Sequence, residues 1–157
     1  VAEAGMGVVL NMNVDVVGGD EKMLHFKKQT SQYTAFFIEL VSSWVDNRER
    51  RMAALQLVES ALIMFASVAV EPEGAVRLYR EGLTSPALHW MESYRTHSSV
   101  QRGGCMLLKN LAPAKLRIRE AIANAGGVGR IIGLMEYYKE DPALLEEAMR
   151  ALQSIAV

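Results

Sequence analysis

Residues 82–94, GLTSPALHWMESY, and residues 126–138, GGVGRIIGLMEYY, decide how this chain is read. Laid on each other at the 44-residue shift that separates Gly82 from Gly126, they bring Ala87, Trp90, Met91 and Tyr94 onto Ile131, Leu134, Met135 and Tyr138. In both copies these positions form an i, i+3, i+4, i+7 stripe, the spacing that gathers four apolar side chains on one helical face. Leu78 falls on Ile122 at the same shift, and farther along Leu108, Leu111 and Ala112 fall on Leu152, Ile155 and Ala156. Two successive helices therefore keep register. A period of this size predicts small groups of helices in series, each unable to cover its apolar side without a neighbour.

Proline and glycine punctuate the pattern. Ser85-Pro86 and Asp141-Pro142 each offer an N-cap oxygen followed by proline at the first helical position, where no N–H is needed. Pro72 and Pro113 are expected to close the helices before them, and Gly82 and Gly126 to terminate short helices over Val76–Glu81 and Leu116–Ala125. One complete unit then reads as a short helix (Lys115–Ala125), a glycine hinge, a middle helix (Val128–Lys139), a turn at Glu140-Asp141 and a third helix (Pro142–Ala156). The unit before it runs from Glu73 to Ala112, its third helix over Ser99–Ala112. The N-terminal third is less regular. Asp46 and Glu49 resemble a capping box opening a helix from Asn47 to Val70, preceded by an apolar helix over Tyr33–Trp44 and a more polar one over Asp20–Gln29. Ala4-Gly5-Met6-Gly7-Val8 echoes the later glycine hinge, and Gly18-Gly19 marks a boundary. The expected organisation is a single domain over residues 1–157: a partial unit at 1–19, a degenerate one at 20–72, and full units at 73–112 and 113–157.

Composition agrees with helices that share an interior. Half of the residues are hydrophobic and 22% are charged, and a mean hydropathy of +0.08 is high for a chain that must leave a polar surface. The nine methionines suit irregular gaps between packed helices better than a methionine-lined groove. A net charge of −1 removes the basic field that nonspecific nucleic-acid binding requires. The apolar run Ala61–Val70, interrupted by Ser67, is too short to span a bilayer, so membrane insertion is not expected. The first residues, VAEAGMGVVL, lack the basic start and cleavage-like end of a signal peptide. With Cys105 the lone cysteine, no internal disulfide can form, and a reducing compartment is expected: the cytoplasm, or alternatively the nucleus.

The residues resemble the armadillo-repeat family. Cys105-Met106-Leu107-Leu108-Lys109-Asn110-Leu111-Ala112 matches that family's third-helix pattern A-W-A-L-x-N-I-A, asparagine included, and Ala125-Gly126-Gly127-Val128 matches its hinge. Ala148-Met149-Arg150-Ala151-Leu152-Gln153-Ser154-Ile155-Ala156 is a looser copy. The resemblance covers Glu73 to Val157 well and the remainder weakly. It implies an all-α, right-handed α-solenoid of three-helix units, part of a longer array, whose third helices line a groove that holds an extended peptide. By position, Asn110 inherits the peptide-binding asparagine and Ser154 stands in its place one unit later. The groove-facing set becomes Arg102, Met106, Lys109 and Asn110 on one helix with Glu146, Arg150, Gln153 and Ser154 on the next. The tryptophan that flanks the peptide in nuclear-import adaptors is replaced by Met106 and Arg150, which argues against a nuclear-localisation-signal receptor. An asparagine amide can donate to a peptide carbonyl and accept from its N–H, whereas an ordinary solvated helix face is the plainer reading of the same polar residues.

No residue set points to catalysis, a metal or a cofactor. Gly126-Gly127-Val128-Gly129 lacks the preceding strand and the lysine of a phosphate-binding loop. His25, His89 and His97 lack zinc-site spacing, and Cys105 on an apolar helix face reads as a small hydrophobe. Glu140-Asp141 and Glu146-Glu147 bracket a helix N-terminus, where the backbone dipole favours negative charge. Arg48, Arg50 and Arg51 read as solvated, with an acidic partner as the alternative. The leading expectation is a non-enzymatic scaffold for a protein or extended peptide. Its rivals are a self-assembly module acting through apolar ends such as Ile155-Ala156-Val157, which would make a homo-oligomer, and a small-molecule enzyme on a helical bundle. Two-helix HEAT units are the nearest structural competitor, and the short helix at Leu116–Ala125 discriminates against them.

Overall fold

The structure, a computed structural model, describes the chain from Asp20 to Ala156 and its side chains from Tyr33 onward. The expected partial unit at residues 1–19, with its hinge-like opening and Gly18-Gly19, lies outside the described residues. Among the described residues there are eight α-helices and no strand. They are α1 (Asp20–Asp46), α2 (Leu55–Val68), α3 (Pro72–Arg80), α4 (Thr84–Ser93), α5 (Ser98–Leu111), α6 (Leu116–Asn124), α7 (Gly127–Tyr137) and α8 (Pro142–Ala156), with a 3₁₀ turn at Ala112–Ala114 between α5 and α6. The long α5 packs against both α2 and α8, the two most extensive helix pairings among the described residues. A single buried apolar cluster runs through the stack from Phe37 to Ala151.

Glycine supplies the two sharp corners. Gly82 and Gly126 have φ of +79° and +83°, a left-handed conformation that costs a side-chain-bearing residue about 1–2 kcal/mol. At Gly82 the Gly82 N–H donates to the Tyr79 carbonyl (3.0 Å) and the Leu83 N–H to the Leu78 carbonyl (3.2 Å), the paired bonds that close a helix C-terminus. At Gly126 the N–H donates likewise to the Ala123 carbonyl (3.0 Å). The tyrosines repeat in the same way. The Tyr94 hydroxyl donates to the Arg51 carbonyl (2.5 Å), and the Tyr138 hydroxyl donates to the Arg95 carbonyl (3.0 Å). Donor and acceptor both move on by 44 residues, so the ends of α4 and α7 are each tied to an earlier loop by one recurring bond. Burial raises the pKa of both phenols, which keeps them protonated and able to donate.

Helix α5 can lie close to its neighbours because it carries Gly103-Gly104. A Cβ at Gly103 would stand 3.1 Å from the Leu62 Cβ of α2, and one at Gly104 would run into the Met91 side chain of α4. Trp90 of α4 fills the centre of the cluster with no exposed surface. It stacks on Phe65 with ring centroids 6.4 Å apart, and its Nε1 donates to the Ser42 hydroxyl (3.2 Å).

Several expected boundaries shift. One helix, α1, replaces the two expected over Asp20–Gln29 and Tyr33–Trp44, because the polar residues 30–32 between them include neither proline nor glycine to stop it. Asp46 ends α1 instead of opening the next helix, and α2 begins only at Leu55, not at Asn47, with no side-chain cap; Asn47 Oδ1 accepts from the N–H of Glu49 (3.0 Å) and Arg50 (3.3 Å) in the turns between the two helices. Pro72 stands at the first position of α3, where its missing N–H is harmless, instead of closing α2. Helix α4 begins at Thr84, so Ser85 is inside it and caps nothing. Buried Leu83 takes the capping position, and its carbonyl accepts from the Ala87 N–H (3.0 Å). At α8 the expectation and the structure agree, with Asp141 Oδ1 accepting from the Leu144 N–H (3.0 Å) and Pro142 opening the helix.

Candidate functional site

Neighbouring α5 and α8 present the sequence-derived groove residues. Arg102 is exposed on α5, with Met106, Lys109 and Asn110 half-buried; Glu146, Arg150 and Gln153 are exposed on α8 and Ser154 is half-buried. The charges among them are matched at close range. Lys109 Nζ lies 3.0 Å from Glu147 Oε2, across the α5–α8 seam, and Arg150 reaches both Glu146 (2.6 Å) and Glu147 (3.8 Å) along α8. Arg102 stands 3.7 Å from Asp141 at the start of α8. Each exposed pair contributes about 0–1 kcal/mol, so the network orients side chains more than it stabilises the stack.

Asn110 also bonds within the stack. Its Nδ2 donates to the Ala66 carbonyl (2.9 Å), in the last turn of α2. The Val70 N–H that would serve that carbonyl in a longer helix bonds to Ser67 instead (3.4 Å), so the asparagine satisfies an orphan acceptor. One amide N–H of Asn110 is therefore engaged inside the stack. The Ser154 hydroxyl, 44 residues on, donates to the Arg150 carbonyl of its own helix (3.0 Å).

Two residues escaped sequence reasoning. Glu147, read there as a dipole partner, is the carboxylate that both Lys109 and Arg150 address, with its side chain only 20% exposed. Gln101 is buried, and its Nε2 donates to the carbonyls of Met91 (2.8 Å) and Tyr94 (2.9 Å), closing the end of α4. Its signal was available: a glutamine stands where the next unit has Leu145, a polar residue in an apolar stripe.

Cys105 is buried with no exposed surface, and burial, followed by the nearby Glu147 charge and opposed by Lys109, pushes its thiol up to about 12. Among the described residues no three His, Cys, Asp or Glu side chains gather where a metal ion could be held, and no helix is long and apolar enough to cross a membrane.

No protein-family model matches the chain, and no curated protein does. Among solved structures, the crystal structure of an engineered protein from the Northeast Structural Genomics Consortium aligns with a TM-score of 0.64 over 99% of this chain, at 22% identity. The chain spans 56% of that protein's length. At this identity the likeness concerns the helical fold alone.

Proposed function

We propose that the chain is a segment of an armadillo-type solenoid, with three helices per unit, and that it serves as a non-enzymatic scaffold holding an extended segment of another protein along α5 and α8. The observation that carries this reading is the tyrosine bond made twice, 44 residues apart, beside a side-by-side α5–α8 pair with an exposed polar flank. A rigid stack loses little entropy on binding, which favours capture of a flexible chain. Because Arg102, Lys109 and Arg150 already have carboxylate neighbours, recognition rests on the partner's main chain, through Gln153, Ser154 and the free part of the Asn110 amide, more than on its charge. The reducing interior of a cell, cytoplasm or nucleus, is the setting this reading implies.

Panning a random linear-peptide library against the chain tests the proposal. Enriched peptides should lose binding to the Gln153→Ala/Ser154→Ala double variant, which removes no bond between helices, while its helicity is unchanged. Peptides that bind the variant as tightly as the parent would remove these residues from the site.

A second reading, self-assembly, draws on exposed apolar side chains at the outer third helices: Ile63 of α2 is 54% exposed and Met149 of α8 is 62% exposed. Light scattering over a range of concentrations separates the two, since a strict monomer contradicts self-assembly and leaves peptide capture intact.

A further inference from the structure

We propose that the cleft between α4 and α7 is a second binding site, independent of the α5–α8 groove, and that it takes an acidic segment of a partner protein. The cleft has a volume of about 270 Å³; Met91, Glu92 and Arg95 line it from α4 and the residues just after it, and Gly129, Arg130, Gly133, Leu134 and Tyr137 from α7.

Comparison along the chain shows how this space arises. His89, 44 residues before Gly133, reaches back from α4 to Asp46 at the end of α1, with its Nε2 2.7 Å from Asp46 Oδ1. Gly133 has no side chain with which to make such a bridge. A Cβ built at Gly133 or at Gly129 meets nothing within 4 Å, and neither glycine has a positive φ. Neither backbone conformation nor internal packing therefore accounts for two glycines one turn apart inside a helix, where glycine is a poor choice. The bare strip of helix suits something that approaches closely from outside.

The charges select the occupant. Among the described residues Arg95 has no ion-pair partner. Arg130 pairs through Nη1 with Glu92, while its Nε is buried with no hydrogen-bond partner. Two guanidinium groups against one carboxylate leave the cleft positive, and a planar guanidinium is built to receive a carboxylate. The backbone of Arg95 is held in place by the Tyr138 hydroxyl on its carbonyl. An acidic side chain fits against exposed Arg95, beside the Arg130–Glu92 pair, and an apolar neighbour fits against Gly133, Leu134 and Tyr137.

The test is fluorescence anisotropy of a capped, labelled hexapeptide of alternating leucine and glutamate, titrated against the whole chain, with its leucine–glutamine counterpart as control. The acidic peptide should bind at least about tenfold more tightly than the control. Gly133→Leu, which fills the cleft, and Arg95→Gln should each weaken binding by about tenfold, a change of about 1.4 kcal/mol. Gly133→Leu should keep its helicity, because its Cβ enters open space. Equal binding of the two peptides, or unchanged binding to Gly133→Leu, would overturn the proposal. So would loss of binding in the Gln153→Ala/Ser154→Ala variant, which would place the peptide in the α5–α8 groove, or displacement by inorganic phosphate at equal concentration, which would reduce the site to a simple anion site.

Discussion

Trp90 and Cys105 carry the sharpest predictions at the scale of single residues. Trp90 is fully buried, stacked on Phe65 and bonded to Ser42, so Trp90→Ala should lower stability by about 3–5 kcal/mol in a urea titration. A negligible loss would mean that the ring is not part of the core. Cys105 should be inert to a thiol reagent at neutral pH in the native chain and react fully once urea unfolds it. The thiol's pKa is raised from 9 to about 12 by burial, so the folded state favours the neutral form. That contribution is complete below about pH 9, where the unfolded thiol is also neutral, and is lost as pH rises from 9 to about 12. Cys105→Ala, measured by the same titration, should lose less stability across that window than the parent. At this scale residue types were legible in the sequence and their bonds were not. Asn110 stood out through the pattern around it, but its bond to Ala66 joins residues 44 apart, beyond the reach of any local spacing rule.

At the scale of elements, glycines of the same composition should respond in opposite directions. Gly126→Ala forces a side chain into φ +83° and should cost about 1–2 kcal/mol. Gly133→Ala, in an ordinary helical conformation with open space at its Cβ, should gain about 0.5–1 kcal/mol. Thermal unfolding of the two variants checks both, and a destabilised Gly133→Ala would show that α7 needs the glycine for its own packing. The start of α8 was readable because Asp141-Pro142 is a local instruction obeyed locally. The start of α4 was not, because buried Leu83 overrides the cap that Ser85-Pro86 offers. The unbroken course of α1 through residues 30–32 shows the same limit: polar residues permit a loop without imposing one.

At the scale of the whole molecule, the apolar stripe shared by residues 87–94 and 131–138 made the all-helical architecture and its period legible. The pairing of charges across the α5–α8 seam was not, since Lys109 and Glu147 meet only once two helices lie side by side. The cleft between α4 and α7 was equally hidden, because a missing side chain at Gly133 matters only beside the His89 bridge that precedes it. The central claim is that stacked third helices form one surface that holds an extended chain. Amide chemical-shift mapping of the protein saturated with a library-selected peptide tests it most directly. The account predicts perturbations along the exposed flank of α5 and α8, from Arg102 to Ser154. Perturbations confined to α3 and α6, with that flank unmoved, would contradict it.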